Sequence, residues 1–83
     1  MVDSFYSESE LRSLGLKSYG RDIRISRKVS LYGSENIRLG DHIRIDDYCI
    51  LSGNLILGNY IHIAAFCALY GSEGIVVEDY SNI

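Results

Sequence analysis

Proline, tryptophan and threonine are all missing from these 83 residues. Without proline, every residue keeps a backbone N–H that can pair, which suits strands stacked side by side. Without threonine there are no threonine rows of the kind that ice-binding surfaces present. Cysteine is limited to Cys49 and Cys67, too few for a disulfide framework and without metal-site spacing. Both are read as reduced, packed thiols of a cytoplasmic protein. The two histidines, His42 and His62, fall short of a three-histidine zinc site, and no metal is expected. No apolar run approaches the ~18–20 residues that span a bilayer. The opening MVDSFYSESE also lacks the basic-then-apolar order of a signal peptide, so no membrane insertion is expected. There is no strand–GxGxxG–helix dinucleotide fingerprint.

Basic residues stop at Arg44. Positions 1–44 hold all eight of them and six acids, while 45–83 hold five acids and no base. The net charge of −3 argues against a general nucleic-acid binder. What is present is ordinary for a folded chain: 47% hydrophobic and 23% charged residues. A chain this short buries only ~60–65% of its unfolded surface, a marginal amount for a domain standing alone.

The organising feature is a repeat. The stretch 19–38 reads YGRDIRISRKVSLYGSENIR, 39–56 reads LGDHIRIDDYCILSGNLI, and 57–76 reads LGNYIHIAAFCALYGSEGIV. A further unit begins VEDYSNI at Val77. Within each unit an aliphatic or aromatic residue recurs every six positions, at Ile25, Leu31, Leu39, Ile45, Leu51, Leu57, Ile63 and Leu69. A small or turn-compatible residue usually follows it (Gly20, Ser26, Gly40, Ser52, Gly58, Ala64), and a second inward candidate lies four positions on (Ile23, Val29, Ile43, Cys49, Ile61, Cys67, Ser81). A period of six does not fit a helix, whose apolar positions recur every 3.6 residues. It fits strands of four or five residues joined by tight corners, three strands to a coil. Stacked coils then pair as parallel strands and share one core, so no coil is stable by itself. Two units carry two additional residues at the same point, near 33–36 and 71–74, and both places are polar and glycine-bearing, as a bulging corner requires.

Leu39-Gly40-Asp41-His42-Ile43-Arg44 and Leu57-Gly58-Asn59-Tyr60-Ile61-His62 resemble the hexapeptide repeat of the left-handed β-helix acyltransferases. Through Ile45-Asp46-Asp47-Tyr48-Cys49-Ile50-Leu51-Ser52-Gly53 the chain is similar to the galactoside and maltose O-acetyltransferase branch, which includes polysaccharide O-acetyltransferases. The resemblance implies an all-β, left-handed parallel β-helix of about three coils plus a partial fourth over 19–83. It implies acetyl-CoA as co-substrate, a sugar or saccharide acceptor and a homotrimer. It also implies a histidine base in the coil begun at Val77, beyond Ile83, so that no catalytic residue is expected within the chain. Coenzyme A is then bound mainly by later coils, and the cofactor-binding residues are unassigned.

Positions 1–18 read as a cap. Ser7 and Glu10 form a capping-box pattern, Leu11 and Leu14 share a face, and Gly15 ends a short helix over about 8–14. The chain stops at the first position of a new hexapeptide, so it is read as the first part of a longer sugar O-acetyltransferase, inactive in isolation. The competing reading is a non-catalytic scaffold or trimerisation module.

Three residues are candidate substrate contacts: Ser72 and Glu73 in the second glycine-bearing corner, and His62, which points outward and is placed to pair with an acid or orient a sugar. His62 shares a column with Arg24, Arg44 and Asn82, read as a solvated basic stripe. His42 shares one with Asp22, Tyr60 and Tyr80, read as outward or at a corner. Asp46 and Asp47 are adjacent, so they face opposite ways and cannot act as a paired acid and base. The Tyr48–Phe66 and Tyr60–Tyr80 columns are expected to cover a sheet face or a subunit contact. Cys49 and Cys67 are expected to stack as buried thiols.

Overall fold

The computed structural model describes residues 4–83, so the first three positions of the expected cap lie outside the described residues. Seven strands follow one helix: α1 (Glu8–Ser13), β1 (Ile23–Ile25), β2 (Ser30–Tyr32), β3 (Ile37–Leu39), β4 (Ile43–Ile45), β5 (Ile50–Leu57), β6 (Ile61–Ile63) and β7 (Ala68–Val77). All strand pairs are parallel. One sheet runs β1-β4-β6, and in the other β5 is flanked by β2 and β3 on one side and by β7 on the other. The partners are those that a coil repeat demands: Ile25, Ile45 and Ile63 are in register, as are Leu31, Leu51 and Leu69. The inward positions make a single core, in which Ile25, Ile45, Leu51, Leu55 and Ile63 are 0% exposed.

Tight corners make this stack possible. Asp22, His42, Tyr60 and Tyr80 form one column of left-handed residues, with φ of 56°, 59°, 58° and 61°, and Tyr48 and Phe66 form another at 62° and 65°. The Tyr48–Phe66 column therefore sits at a corner, not over a sheet face as expected from its spacing, while Tyr60 and Tyr80 take the corner position that the His42 column allowed. Their rings stack from coil to coil: Tyr48 on Phe66 at 5.2 Å and Tyr60 on Tyr80 at 5.0 Å between centroids. In the first of these corners, two residues before the left-handed position, Gly20, Gly40 and Gly58 let the coils approach closely. The neighbouring side chains of Asp41, Asn59 and Asp79 accept from the backbone N–H of Arg21, Asp41 and Asn59 at 2.9, 2.7 and 2.7 Å. Each coil thus ties down the one before it.

The two additional residues are accommodated differently in the two long coils. In the first they form a 3-10 turn at Ser34–Asn36, entered through Gly33 at φ 63°. In the second they lie inside β7, where the register with β5 passes from Gly53↔Gly71 to Leu55↔Ile75, so 72–74 bulge outward. The second is a bulged strand in place of the expected corner. Cys49 is buried and donates to the Ala64 carbonyl at 3.0 Å, but Cys67 is only half-buried, and both thiols are free. The expectation of two buried thiols holds for Cys49 alone, and burial pushes its pKa up.

The cap forms as its sequence demands. The Glu10 side chain accepts from the Ser7 N–H at 2.9 Å and the Glu10 N–H donates to Ser7 Oγ, with Leu11 buried beneath. The preceding segment also covers the first coil's open edge: Tyr6 N–H donates to the Ile25 carbonyl at 3.0 Å, and Phe5 bridges Ser26 antiparallel. Glu10 Oε1 accepts from Arg27 at 2.7 Å, and this bond, with those from Ser7, holds the Glu10 carboxyl at about 2, well below the usual 4.5. A depressed pKa contributes stability that is full above the unfolded value and lost as pH falls through the folded one. Urea midpoints of the parent chain and Glu10→Gln should therefore differ above pH 4.5 and converge as pH falls toward about 2.

Candidate functional site

The β1-β4-β6 sheet presents one outward residue per coil: Arg24, Arg44 and His62, with Asn82 bridged to His62 in the next. Strand alternation places them there, because each lies between two inward isoleucines or their equivalent. On one flank lies the ladder of left-handed corner residues, where His42 stacks on Tyr60 at 4.6 Å. Column and ladder line an open groove of about 410 Å³ that includes His42, Arg44, Tyr60, His62, Tyr80 and Asn82. On the other flank a second groove of about 370 Å³ includes Phe5, Arg44, Asp46 and Asp47.

Asp46 joins the two. Its Oδ2 lies 2.8 Å from His62 Nε2, and its Oδ1 accepts from Arg44 Nε at 2.9 Å. The Arg44 guanidinium in turn lies 5.8 Å from the centre of the Phe5 ring. The His62 hydrogen bond is the largest cause that holds the Asp46 carboxyl below the ordinary carboxylate range; burial opposes it, and the Arg44 contacts add to the lowering. Asp47 takes different partners, accepting from the Ser26 hydroxyl. The adjacent aspartates are thus committed separately, as strand geometry predicts. A parallel device occurs one coil earlier: Asp22 accepts from Arg24 Nε at 3.3 Å and pairs with His42 Nδ1 at 2.9 Å. The basic stripe is therefore tied to carboxylates.

Of the three candidate contacts, His62 lies in this groove. Ser72 and Glu73 are exposed in the β7 bulge, in the other sheet, and no hydrogen bond or ion pair joins them to His62 among the described residues. Sequence reasoning did not pair His62 with Asp46. The available signal was that Asp46 occupies the position after Ile45 where most other hexapeptides carry a small residue (Gly20, Ser26, Gly40, Ser52, Gly58 and Ala64), with Tyr32, Tyr70 and Glu78 as the other departures.

No protein-family model matches the chain. The chain is 39% identical over 83 residues to the Escherichia coli dTDP-4-amino-4,6-dideoxy-D-glucose acyltransferase, which covers 96% of this chain and 43% of that protein. It superposes on AntD, an N-acyltransferase from Bacillus cereus solved with dTDP and 3-hydroxybutyryl-CoA, with a TM-score of 0.94 and 49% identity over 98% of this chain and 44% of AntD. The chain has the left-handed β-helix fold of AntD and is similar over nearly its whole length to these sugar acyltransferases. A variant of AntD solved with dTDP-4-amino-4,6-dideoxyglucose and coenzyme A superposes with a TM-score of 0.93 at 49% identity, over 98% of this chain and 44% of that one. The chain thus spans less than half the length of these relatives. The β-helix expected from the hexapeptides stands, and the similarity is to sugar acyltransferases as expected, but AntD is an N-acyltransferase where a hydroxyl acceptor was expected.

Proposed function

We propose that this chain supplies coils of an enzyme that transfers an acyl group from a coenzyme A thioester to the amino group of a dTDP-linked aminosugar. The observation that supports this most is the 49% identity to AntD over 98% of the chain. In this reaction the amine nitrogen attacks the thioester carbonyl carbon and the C–N bond forms. The tetrahedral intermediate then loses the C–S bond, and the amine's surplus proton ends on the departing thiolate. A neutral amine is a stronger nucleophile than a neutral hydroxyl and can attack before it loses a proton, so it needs less help from a base than the hydroxyl expected from the sequence. The groove suits such an acceptor, because His62 and His42 offer ring nitrogens beside Asn82. The acyl group follows the relatives in coming from a coenzyme A thioester, with acetyl as one member of that class. The reading keeps a cytoplasmic homotrimer, with the exposed Phe66, Tyr70 and Tyr80 as contact surface.

The test is a chimera in which these 83 residues replace the matching part of AntD. With 3-hydroxybutyryl-CoA and dTDP-4-amino-4,6-dideoxyglucose, thiol release should depend on the aminosugar in the chimera and be absent from the isolated chain. A folded chimera without release, or an active isolated chain, overturns the reading.

A further inference from the structure

The Asp46 carboxylate fixes which nitrogen of His62 carries the proton. An ionised carboxylate has only acceptor sites, so the Nε2–Asp46 contact of 2.8 Å needs a proton on Nε2. A neutral imidazole has one N–H, so Nδ1 then carries the lone pair. Among the described residues, Nδ1 of His62 has no protein hydrogen-bond partner. Asp46 itself is held from two sides, by Arg44 Nε at 2.9 Å and by His62, and its side chain is only 23% exposed. Arg44 and His62 are register partners on adjacent strands. One carboxylate therefore bridges two successive members of the column that lines the groove. The neighbouring pair is built with the opposite polarity: His42 uses Nδ1 toward Asp22, which leaves Nε2 as its outer nitrogen.

We infer that Asp46 is a positioning residue: it locks His62 in the Nε2–H form, so that the Nδ1 lone pair accepts a hydrogen bond from the amino group of the sugar. This rests on the proposed aminosugar reading. It adds the choice of acceptor atom and a cause for substrate orientation. His62 is the contact, and Asp46 acts through it. The charged and titratable side chains around this ring are Asp46 and Arg44 from β4 and its corner, with the His42 imidazole along the same groove.

Nitrogen NMR of the histidine rings in the 83-residue chain tests the lock without any assay of catalysis. At a pH where His62 is neutral, the expected spectrum has its proton on Nε2, and Asp46→Asn gives a mixture of both forms, since an amide can accept or donate. A proton on Nδ1 in the parent chain, or an unchanged spectrum in the variant, overturns the inference. Kinetics in the AntD chimera form the second arm. Asp46→Asn should lower kcat/KM for the aminosugar roughly ten- to a hundredfold. Asp46→Glu, which keeps an acceptor carboxylate, should recover most of that loss, and KM for the thioester should not move. A locked ring with unchanged aminosugar kinetics in Asp46→Asn overturns the positioning role alone. A chimera carrying the parent chain that ignores the aminosugar overturns the functional reading beneath it.

Discussion

Ile45→Ala is expected to lower the unfolding free energy by about 2–5 kcal/mol, the cost of truncating a buried isoleucine where the walls cannot close in. Ile45 is 0% exposed and lies in register between Ile25 and Ile63, both also 0% exposed. It belongs to the middle coil, so the cavity would open to core atoms above and below. An 83-residue chain has on the order of 4–12 kcal/mol of stability in total, so this one change removes a large share. Because neighbouring coils share the core, the loss should appear as one cooperative transition at lower urea concentration. Ile56→Ala is the comparison. Ile56 faces outward from β5 and is 42% exposed, so its truncation should cost about 1 kcal/mol or less. Equal losses at the two positions would mean that the inward and outward columns are misassigned.

Gly40→Val should destabilise by about 2–4 kcal/mol, combining overpacking with lost hydrogen bonds. The cause is space. A Cβ at this position would lie 2.4 Å from the Gly58 carbonyl oxygen and 2.5 Å from Asn59 Oδ1. Neither atom can yield cheaply: one is backbone of the next coil, and the other accepts from the Asp41 N–H at 2.7 Å. Opening this corner also strains the Gly40 N–H bond to the Leu57 carbonyl, now 2.8 Å. Ser52→Ala, at the equivalent hexapeptide position, should change stability by no more than ~0.5 kcal/mol. A Gly40→Val chain as stable as its parent would mean that the coils are not in this contact.

The core columns were legible because a six-residue period constrains every strand at once. Conformation at the corners was not legible. Left-handed φ is favoured by Gly, Asn and Asp, so nothing in Tyr48, Tyr60, Phe66 or Tyr80 taken singly points there. Their places follow from the coil, and stacking on the next ring accompanies them. Leu-Tyr-Gly-Ser-Glu occurs at 31–35 and 69–73, yet the first copy turns into a 3-10 helix and the second runs on as a bulged strand. The surroundings differ: Ser34 donates to the Leu14 carbonyl of the cap at 2.8 Å, while Glu73 is followed by Gly74 at φ 95° where Glu35 is followed by Asn36. At the site, His62 was recognised as outward and suited to an acid partner. Its partner was not, because residues 16 apart in sequence meet only once coil length and corner direction are known. Acceptor chemistry was beyond the repeat altogether, since hexapeptides encode the coil and leave the nucleophile unspecified.

The nature of the bond formed tests the central claim most directly. The AntD chimera carrying these 83 residues would receive a coenzyme A thioester together with dTDP-4-amino-4,6-dideoxyglucose and its 4-hydroxy counterpart, and the acylated product would be identified by mass and by NMR. An amide on the aminosugar, with the hydroxyl sugar left unmodified, is the predicted result. An ester on the hydroxyl sugar, with the amine untouched, would contradict it.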